Sequence, residues 1–248
     1  MGSGLIAAGV KCVGRGHIKT ATPCQDSVAI KLVGEGGYIA LADGAGSRAH
    51  SDLGSQICVD SIVRYLSKNF DVLFKLSQIK PEEVRKTLVN VILVAMKRHV
   101  CRKNYGIEDM ACTLLFAAVK NGQILAGHLG DGVIGIQNGD EISVLSFPEN
   151  GEFANSTYFV TDKGAQTRLR LYHSYVTEKV GVVLMSDGTA ESLFNRTTRK
   201  LAPAASTIFG WANRISAKKL RDVLDQNLKQ VFITKTTDDC SMAIVVSR

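Results

Sequence analysis

The chain has 248 residues, of which 45% are hydrophobic, and it carries a formal net charge of +7. This length can bury a sizeable core and fits one large or two small domains. The sequence lacks a membrane-spanning apolar run, CxxC zinc spacing and the basic–aromatic pattern of single-stranded nucleic-acid sites, so we expect no membrane and no nucleic-acid partner. Most of the basic excess follows Asn195, and a basic surface can attract acidic or phosphorylated partners.

The first hundred residues predict three strands followed by two long helices. The three strand-like segments, the last two joined by a glycine-rich hairpin turn, are residues 5–12, 28–33 and 37–42. In residues 51–70 the apolar side chains recur at helical spacing. A second helix is predicted to begin at Pro81 and to continue to about Cys101, because proline suits the first helical position and two glutamates follow it.

From residue 112 onwards the pattern changes to short strands with Asn-Gly turns between them. The predicted strands are 112–119, 123–129, 132–137, 141–146, 157–161, 180–186 and 241–247. The predicted helices in this half are 189–194, 202–213 and 217–230. Runs of strands interrupted by pairs of helices indicate an α+β class, in which antiparallel sheets carry helices on their outer faces. We expect residues 1–248 to form a single domain, because acidic motifs extend from residue 26 to residue 238 with no linker between them.

Acidic residues lie at the ends of several predicted strands. Asp43, Asp131 and Asp187 each follow an apolar or small-residue stretch and precede a glycine, while Asp26 and Asp238 lie just before other strands. A glycine after the acid lets backbone or ligand approach closely. Carboxylates collected from distant segments would repel one another unless a cation lay between them, and hard divalent ions prefer oxygen ligands. The sequence therefore predicts a magnesium or manganese site.

Each acid also has a simpler interpretation. Asp-Gly is an ordinary tight-turn pair, and Asp131 can simply close the turn to the next strand. Asp187 can act as the N-cap of the helix that follows it. Of the neighbours Asp238 and Asp239 we expect one to point outward, so that only one is a ligand. Asp43 is the strongest ligand candidate, because its two carboxylate oxygens can bridge two ions.

No side-chain nucleophile stands out in the sequence. It contains no Gly-x-Ser-x-Gly elbow, P-loop, kinase signature or His-Glu-x-x-His motif. At a site with two divalent ions the nucleophile can be water whose pKa the metal lowers, attacking phosphorus in line. Such a site also needs cations for the phosphate oxygens and an acid for the leaving oxygen, and Arg15, His17 and Lys19 can supply both. His17 can equally be a surface or hydrogen-bonded histidine, because its stretch is typical of a loop.

At these residues the chain resembles the metal-dependent Ser/Thr protein phosphatases of type 2C, the PPM family, and especially their compact bacterial branch. Matching motifs occur in the family's order across almost the entire length: Gly16-His17 to Pro23-Cys24-Gln25-Asp26, Ala42-Asp43-Gly44-Ala45-Gly46, Ala111-Cys112-Thr113-Leu114, Gly130-Asp131-Gly132, Asn155-Ser156-Thr157, Ser186-Asp187-Gly188 and Asp238-Asp239-Cys240-Ser241. The resemblance implies a β-sandwich of two antiparallel sheets flanked by pairs of α-helices, with a binuclear metal centre in a cleft at one end.

The resemblance also implies a role for individual residues. The implied metal ligands are Asp43 as the bridge, Gly44 through its carbonyl, Asp187 and Asp238, with Asp131 serving a third, weaker ion. Asp26 resembles an outer carboxylate that holds bound water, which makes it a catalytic candidate beside His17. The chain departs from the commoner family pattern in having Gln25 where many members carry Glu, and in lacking the usual phosphate-binding Arg. His17 is at the position expected for the compact branch, with Arg15 and Lys19 as further candidates for the substrate phosphate.

We therefore expect a phosphatase that hydrolyses phosphoserine or phosphothreonine with metal-activated water. Its partner would be a phosphorylated protein, a Ser/Thr kinase or its targets. One alternative is a catalytically weak regulatory module of the same fold that binds phosphoproteins, and another is a different metallo-phosphoesterase or nuclease. The full set of acids argues against the first, and the motif order argues against the second. Six cysteines without CxxC spacing and the lack of a signal-peptide pattern predict a cytoplasmic protein with reduced thiols.

Overall fold

The computed structural model describes residues 4–149, 157–176 and 179–248. Two five-stranded antiparallel sheets pack face to face, and helices cover the outer face of each sheet. The elements in chain order are β1 Leu5–Cys12, α1 Arg15–Thr20, β2 Ser27–Val33, β3 Gly36–Ala42, α2 Ser51–Ile79, α3 Pro81–Val100, β4 Leu114–Lys120, β5 Gln123–Leu129, β6 Val133–Asn138, β7 Glu141–Ser146, α4 Ala165–Arg168, β8 Arg170–Tyr175, β9 Val180–Met185, α5 Asp187–Leu193, β10 Phe194–Asn195, β11 Lys200–Leu201, α6 Pro203–Arg214, α7 Ala217–Gln230 and β12 Cys240–Ser247. This architecture confirms the predicted α+β sandwich with flanking helices.

The strand order brings distant parts of the chain together. The first sheet has the order β1-β12-β9-β6-β7 and the second has the order β2-β3-β4-β5-β8. The last strand, β12, therefore lies between β1 and β9, with Cys240 opposite Cys12 and Met242 opposite Met185. Residues near both chain ends thus share one sheet, which explains why the acidic motifs can meet although they are far apart in sequence.

The hydrophobic core has three layers. Between the sheets, the inner faces interdigitate through side chains such as Ile39, Leu115 and Leu184. The outer face of the second sheet packs against α2 and α3, and that of the first sheet packs against α5, α6 and α7. Central strands are therefore buried on both faces, which is why they appear in the sequence as continuous apolar runs instead of alternating patterns.

Most predicted elements are confirmed, several with the same bounds. Helix α2, however, continues past residue 70 to Ile79, because its buried stripe continues through Leu73, Phe74 and Ser77. None of the described helices is long and apolar enough to cross a membrane.

Two local predictions are wrong, and strand β8 has no counterpart among the predicted elements. Residues 157–161 do not form a strand, since Asp162 N–H donates to the Phe159 carbonyl in a turn that leads to α4. The stretch expected to be a loop around His17 is the short helix α1, which has no buried residue and hence no apolar stripe to reveal it. Strand β8 was not predicted, because it lies at a sheet edge and its last three residues are exposed.

Candidate active site

One end of the sandwich collects acidic residues from five segments of the chain. The strand ends concerned are neighbours in the sheets: Ser27 at the start of β2 is paired with Ala42 at the end of β3, and Met185 at the end of β9 is paired with Met242. The acids beside these ends and beside β5 are Asp26, Asp43, Asp131, Asp187 and Asp238.

A cleft of about 330 Å³ opens among these residues. Three of the acids, together with His17, Gln25 and the backbone of Gly44, are among the residues that line it: Asp43, Asp131 and Asp238. Two of the three residues proposed to hold the substrate phosphate lie elsewhere. Arg15 donates from Nε to the Thr236 carbonyl at 3.0 Å, and Lys19 is exposed on α1. Of the three, only His17 is brought to the cleft.

The backbone around Asp43 is fixed by Thr113. Asp43 N–H donates to Thr113 Oγ1 at 2.9 Å, and Thr113 N–H donates to the Asp43 carbonyl at 2.8 Å. The next residue, Gly44, donates to the Gln25 carbonyl at 3.2 Å. A Cβ on Gly44 would lie 2.8 Å from the Ser51 carbonyl oxygen and 2.9 Å from that of Gln25, so only glycine fits. These contacts hold a carboxylate and an adjacent carbonyl rigidly at the end of β3.

Burial and the charges of neighbouring acids raise the pKa values of the acids in this cluster. Burial raises the pKa of Asp43 well above its usual range, and the charges of Asp26 and Asp187 raise it further. Burial raises the pKa of Asp26 to about 7. The pKa of Asp187 is also raised to about 7, first by burial and then by the charges of Asp238 and Asp131. Because each ionised acid disfavours the ionisation of the others, a cation in this cluster would stabilise all of them at neutral pH.

Two features of the cluster bear on whether it could hold divalent cations. Both carboxylate oxygens of Asp26 are buried and have no hydrogen-bond partner among the described residues. The donors near the cleft are carboxylate and carbonyl oxygens, which magnesium and manganese prefer. Within the described parts of the chain, no three His, Cys, Asp or Glu side chains already meet around one point. The residues thus surround a common space without forming a closed cage.

Asp187 is the first residue of α5, and the N-cap position belongs to Ser186. The alternative in which Asp187 serves as the N-cap is therefore wrong. The Asp187 carboxylate instead accepts from Gly188 N–H at 2.6 Å, within the first turn. Ser186 joins the start of β12 to this turn, because its hydroxyl accepts from Ser241 N–H at 3.0 Å.

Asp238 and Asp239 lie in different environments, and that of Asp239 differs from our expectation. Asp238 lines the cleft, whereas Asp239, expected to point outward, is buried with 2% exposure. Its carboxylate accepts from Gly14 N–H at 2.6 Å, Gln25 N–H at 2.7 Å and His17 Nδ1 at 3.0 Å. Sequence reasoning missed this role because all three partners lie more than 200 residues away along the chain.

The contact with Asp239 also indicates which ring nitrogen of His17 carries a proton. A carboxylate only accepts hydrogen bonds, so Nδ1 of His17 carries the proton in this contact. Nε2 is then the ring nitrogen left for other partners, and the His17 side chain remains 22% exposed. Gly14 approaches the backbone of Asp238 and Asp239 so closely that a Cβ would clash with it. The start of helix α1 thus packs closely against residues 238–239, and its His17 side chain lies at the cleft.

Asp131 lines the same cleft just beyond the end of β5. It follows Gly130, whose φ of +119° requires glycine, and the Gly130 carbonyl accepts from Glu149 N–H at 3.0 Å. Burial raises the pKa of Asp131, while Thr157 and Arg196 lower it. The neighbouring motif residues Asn155 and Ser156 lie outside the described residues.

The chain is similar to known proteins along most of its length. The family model described as Protein phosphatase 2C matches residues 13–229. Serine/threonine-protein phosphatase 3 of Escherichia coli (strain K12) is 25% identical over 247 residues, which cover 94% of this chain and 95% of that protein.

Solved structures share the fold. PppA, described as a key regulatory component of T6SS in Pseudomonas aeruginosa, has a TM-score of 0.67 and 18% identity and covers 99% of both chains. The catalytic domain of serine threonine protein phosphatase PstP, solved in complex with two manganese ions, has a TM-score of 0.62 and 14% identity. That match covers 98% of this chain and 99% of the PstP domain.

Proposed function

This chain belongs to the protein phosphatase 2C family, and on that premise we propose that it is a metal-dependent phosphoprotein phosphatase acting on phosphoserine and phosphothreonine. The observation that carries the proposal is the cluster of acids at one end of the sandwich. Burying carboxylates that raise one another's pKa costs stability, and such clusters of perturbed acids are typical of functional sites. Binding divalent cations is the use that fits oxygen donors.

Two magnesium or manganese ions would be held by Asp43, the Gly44 carbonyl, Asp187 and Asp238. A third, more weakly bound ion would be held by Asp131 with Asp187. The PstP domain of the same fold, solved with two manganese ions, supports this number. When bound, the cations would neutralise phosphate oxygens and lower the pKa of the attacking water. Asp26, whose buried oxygens are unpartnered among the described residues, is suited to accept hydrogen bonds from water in the cluster.

His17 is the proposed acid of the reaction. Asp239 orients the ring by accepting the Nδ1–H, so that a protonated His17 can donate its second proton, on Nε2, to the departing serine or threonine oxygen or can bind a phosphate oxygen through Nε2–H. Thr113 and Gly44 fix the backbone of the Asp43 turn, so the acid does not have to be ordered when substrate binds. Arg15 and Lys19 would contribute only charge near the entrance, since neither lines the cleft.

The proposed partner is a phosphorylated protein, such as a Ser/Thr kinase or one of its targets. The name of the 25% identical relative from Escherichia coli, a serine/threonine-protein phosphatase, supports this substrate class. The cytoplasm is the proposed compartment, and the six free cysteines support it. Residues 1–248 would act as one catalytic domain.

The proposal is tested by measuring phosphate release from a phosphothreonine peptide and from para-nitrophenyl phosphate, with manganese, with magnesium and after chelation. Asp43→Asn serves as the inactive control. We expect cation-dependent release from both substrates by the wild-type protein. A module that only binds phosphoproteins would bind the peptide without releasing phosphate. A nuclease would instead cleave a phosphodiester such as bis-para-nitrophenyl phosphate faster than either monoester.

A further inference from the structure

A second recess adjoins the candidate active cleft. It has a volume of about 570 Å³ and lies between helix α1 and the end of β1. Its lining includes Val13, His17, Ile18, Ala21 and Pro23, and we call it the α1 groove. His17 lines both the cleft and the α1 groove, so the two recesses share one wall.

The floor and wall of the α1 groove are largely apolar. Ile18 is 61% exposed, which leaves a large branched side chain in solvent beside the cleft. Single exposed apolar residues are common on protein surfaces and need no explanation. Ile18 differs from the others because it shares a recess with other apolar side chains and with the proposed catalytic histidine.

The two lysines among the lining residues, Lys11 and Lys229, already have polar partners. Lys11 Nζ donates to the Asp26 carbonyl at 2.6 Å, and Lys229 Nζ pairs with Asp225 at 2.7 Å. Their positive charge nevertheless disfavours a basic ligand. The largely apolar lining therefore favours a neutral, apolar group.

The α1 groove is also held in shape before any ligand arrives. Gly16 N–H donates to the Thr237 carbonyl at 2.8 Å, and His17 is fixed by Asp239. At the other end of α1, Thr22 N–H donates to the His17 carbonyl at 2.9 Å, and Ala21 adopts a left-handed conformation with φ of 54°. A preformed recess binds a side chain without first ordering its own walls.

We propose that the α1 groove binds a large apolar side chain of the phosphoprotein substrate, located within about three residues of the phosphorylated one. The inference rests on the proposed function, because it assigns the groove to the same substrate. An extended peptide advances about 3.3–3.6 Å per residue, so a phosphoresidue in the cleft carries its near neighbours past His17. Ile18 is then a specificity-determining residue that favours leucine, isoleucine, methionine or phenylalanine over basic residues.

The test uses phosphothreonine peptides in which one leucine is moved through the three positions on each side of the phosphothreonine, compared with a peptide that has serine at all of them. The enzyme forms are the wild type, Ile18→Ser, Ile18→Ala and the matched control Val72→Ser. Val72 is 60% exposed on α2 and lines neither recess. Turnover of para-nitrophenyl phosphate, which has no peptide flank, corrects each variant for any disturbance of the cleft.

We expect the wild type and Val72→Ser to prefer leucine at one position by about tenfold in kcat/KM, the order of selectivity that an apolar pocket supplies. Ile18→Ser should remove this preference and Ile18→Ala should reduce it. A preference that survives Ile18→Ser, or no preference at any position despite peptide turnover, would overturn the inference and leave the proposed function standing. No phosphate release from any substrate would instead overturn both.

Discussion

His17 and Asp239 are joined by a hydrogen bond of 3.0 Å between Nδ1 and Oδ1, across more than 200 residues of sequence. The same carboxylate accepts the backbone N–H groups of Gly14 and Gln25, which flank α1. One buried acid therefore fixes both ends of the α1 segment and the ring of its histidine. The neighbouring acid, Asp238, remains available to the cleft.

The role of His17 can be inferred by comparing how its replacement affects substrates with poor and good leaving groups. His17→Ala should slow hydrolysis of a phosphothreonine peptide by about 100-fold, the lower range for loss of a general acid, because threonine alkoxide is a poor leaving group. Turnover of para-nitrophenyl phosphate should fall much less, since nitrophenolate leaves without a proton. Equal losses on both substrates would indicate phosphate binding. Unchanged rates on both would remove His17 from the site.

Asp239→Asn should reproduce the His17→Ala pattern through a positioning effect. Its amide would face donor groups that now point at a carboxylate, so we also expect a loss of about 1–3 kcal/mol in the free energy of unfolding. Asp71→Asn is the matched control, because Asp71 pairs with Lys120 on the surface and its side chain is 66% exposed. Peptide and nitrophenyl rates together with urea unfolding measure both effects. A variant with normal peptide turnover would show that His17 does not depend on Asp239.

Thr113→Val should loosen the turn that carries Asp43. Val keeps the shape of the side chain but leaves the Asp43 N–H without its acceptor, which should cost about 1–3 kcal/mol of unfolding free energy and weaken manganese binding. Thr113→Ser keeps the hydroxyl and should retain most of the stability and affinity. Urea unfolding and calorimetric titration with manganese decide the matter. Equal behaviour of the Val and Ser variants would show that the hydroxyl is not needed.

The pH dependence of the metal-free protein should report the acid cluster. Folding raises the pKa of Asp26 from its usual value near 3.8 to about 7, so the folded state binds more protons between these values. Stability from this group is then present at low pH and is lost as pH rises towards 7. The free energy of unfolding of the wild type should therefore fall relative to that of Asp26→Asn as the pH rises from 5 to 8.

Manganese should cancel most of that shift, because bound cations stabilise the ionised acids. Denaturant unfolding at both pH values, with and without manganese, measures it. The raised pKa of Asp26 would be contradicted if the difference in unfolding free energy between the wild type and Asp26→Asn stayed constant with pH in the metal-free protein.

How much the sequence reveals depends on whether a feature is local. The buried strands and the acids at their ends could be predicted, since a strand covered on both faces is apolar throughout, as in Gly36–Ala42. The continuation of α2 to Ile79 could also have been found, because Leu73 and Phe74 extend the helical stripe. Helix α1 could not, since it buries no residue and is held by contacts with residues 236–239.

The central claim is that the acid cluster binds the cations on which phosphate release depends. The most direct measurement is a manganese titration of the chelated protein in which bound manganese and phosphate release from a phosphothreonine peptide are followed together, with Asp43→Asn and Asp187→Asn in parallel. We predict no release without cation, recovery as two ions bind per chain, and weak binding without turnover in both variants. Full turnover after exhaustive chelation, or wild-type manganese affinity and activity in both variants, would contradict the account.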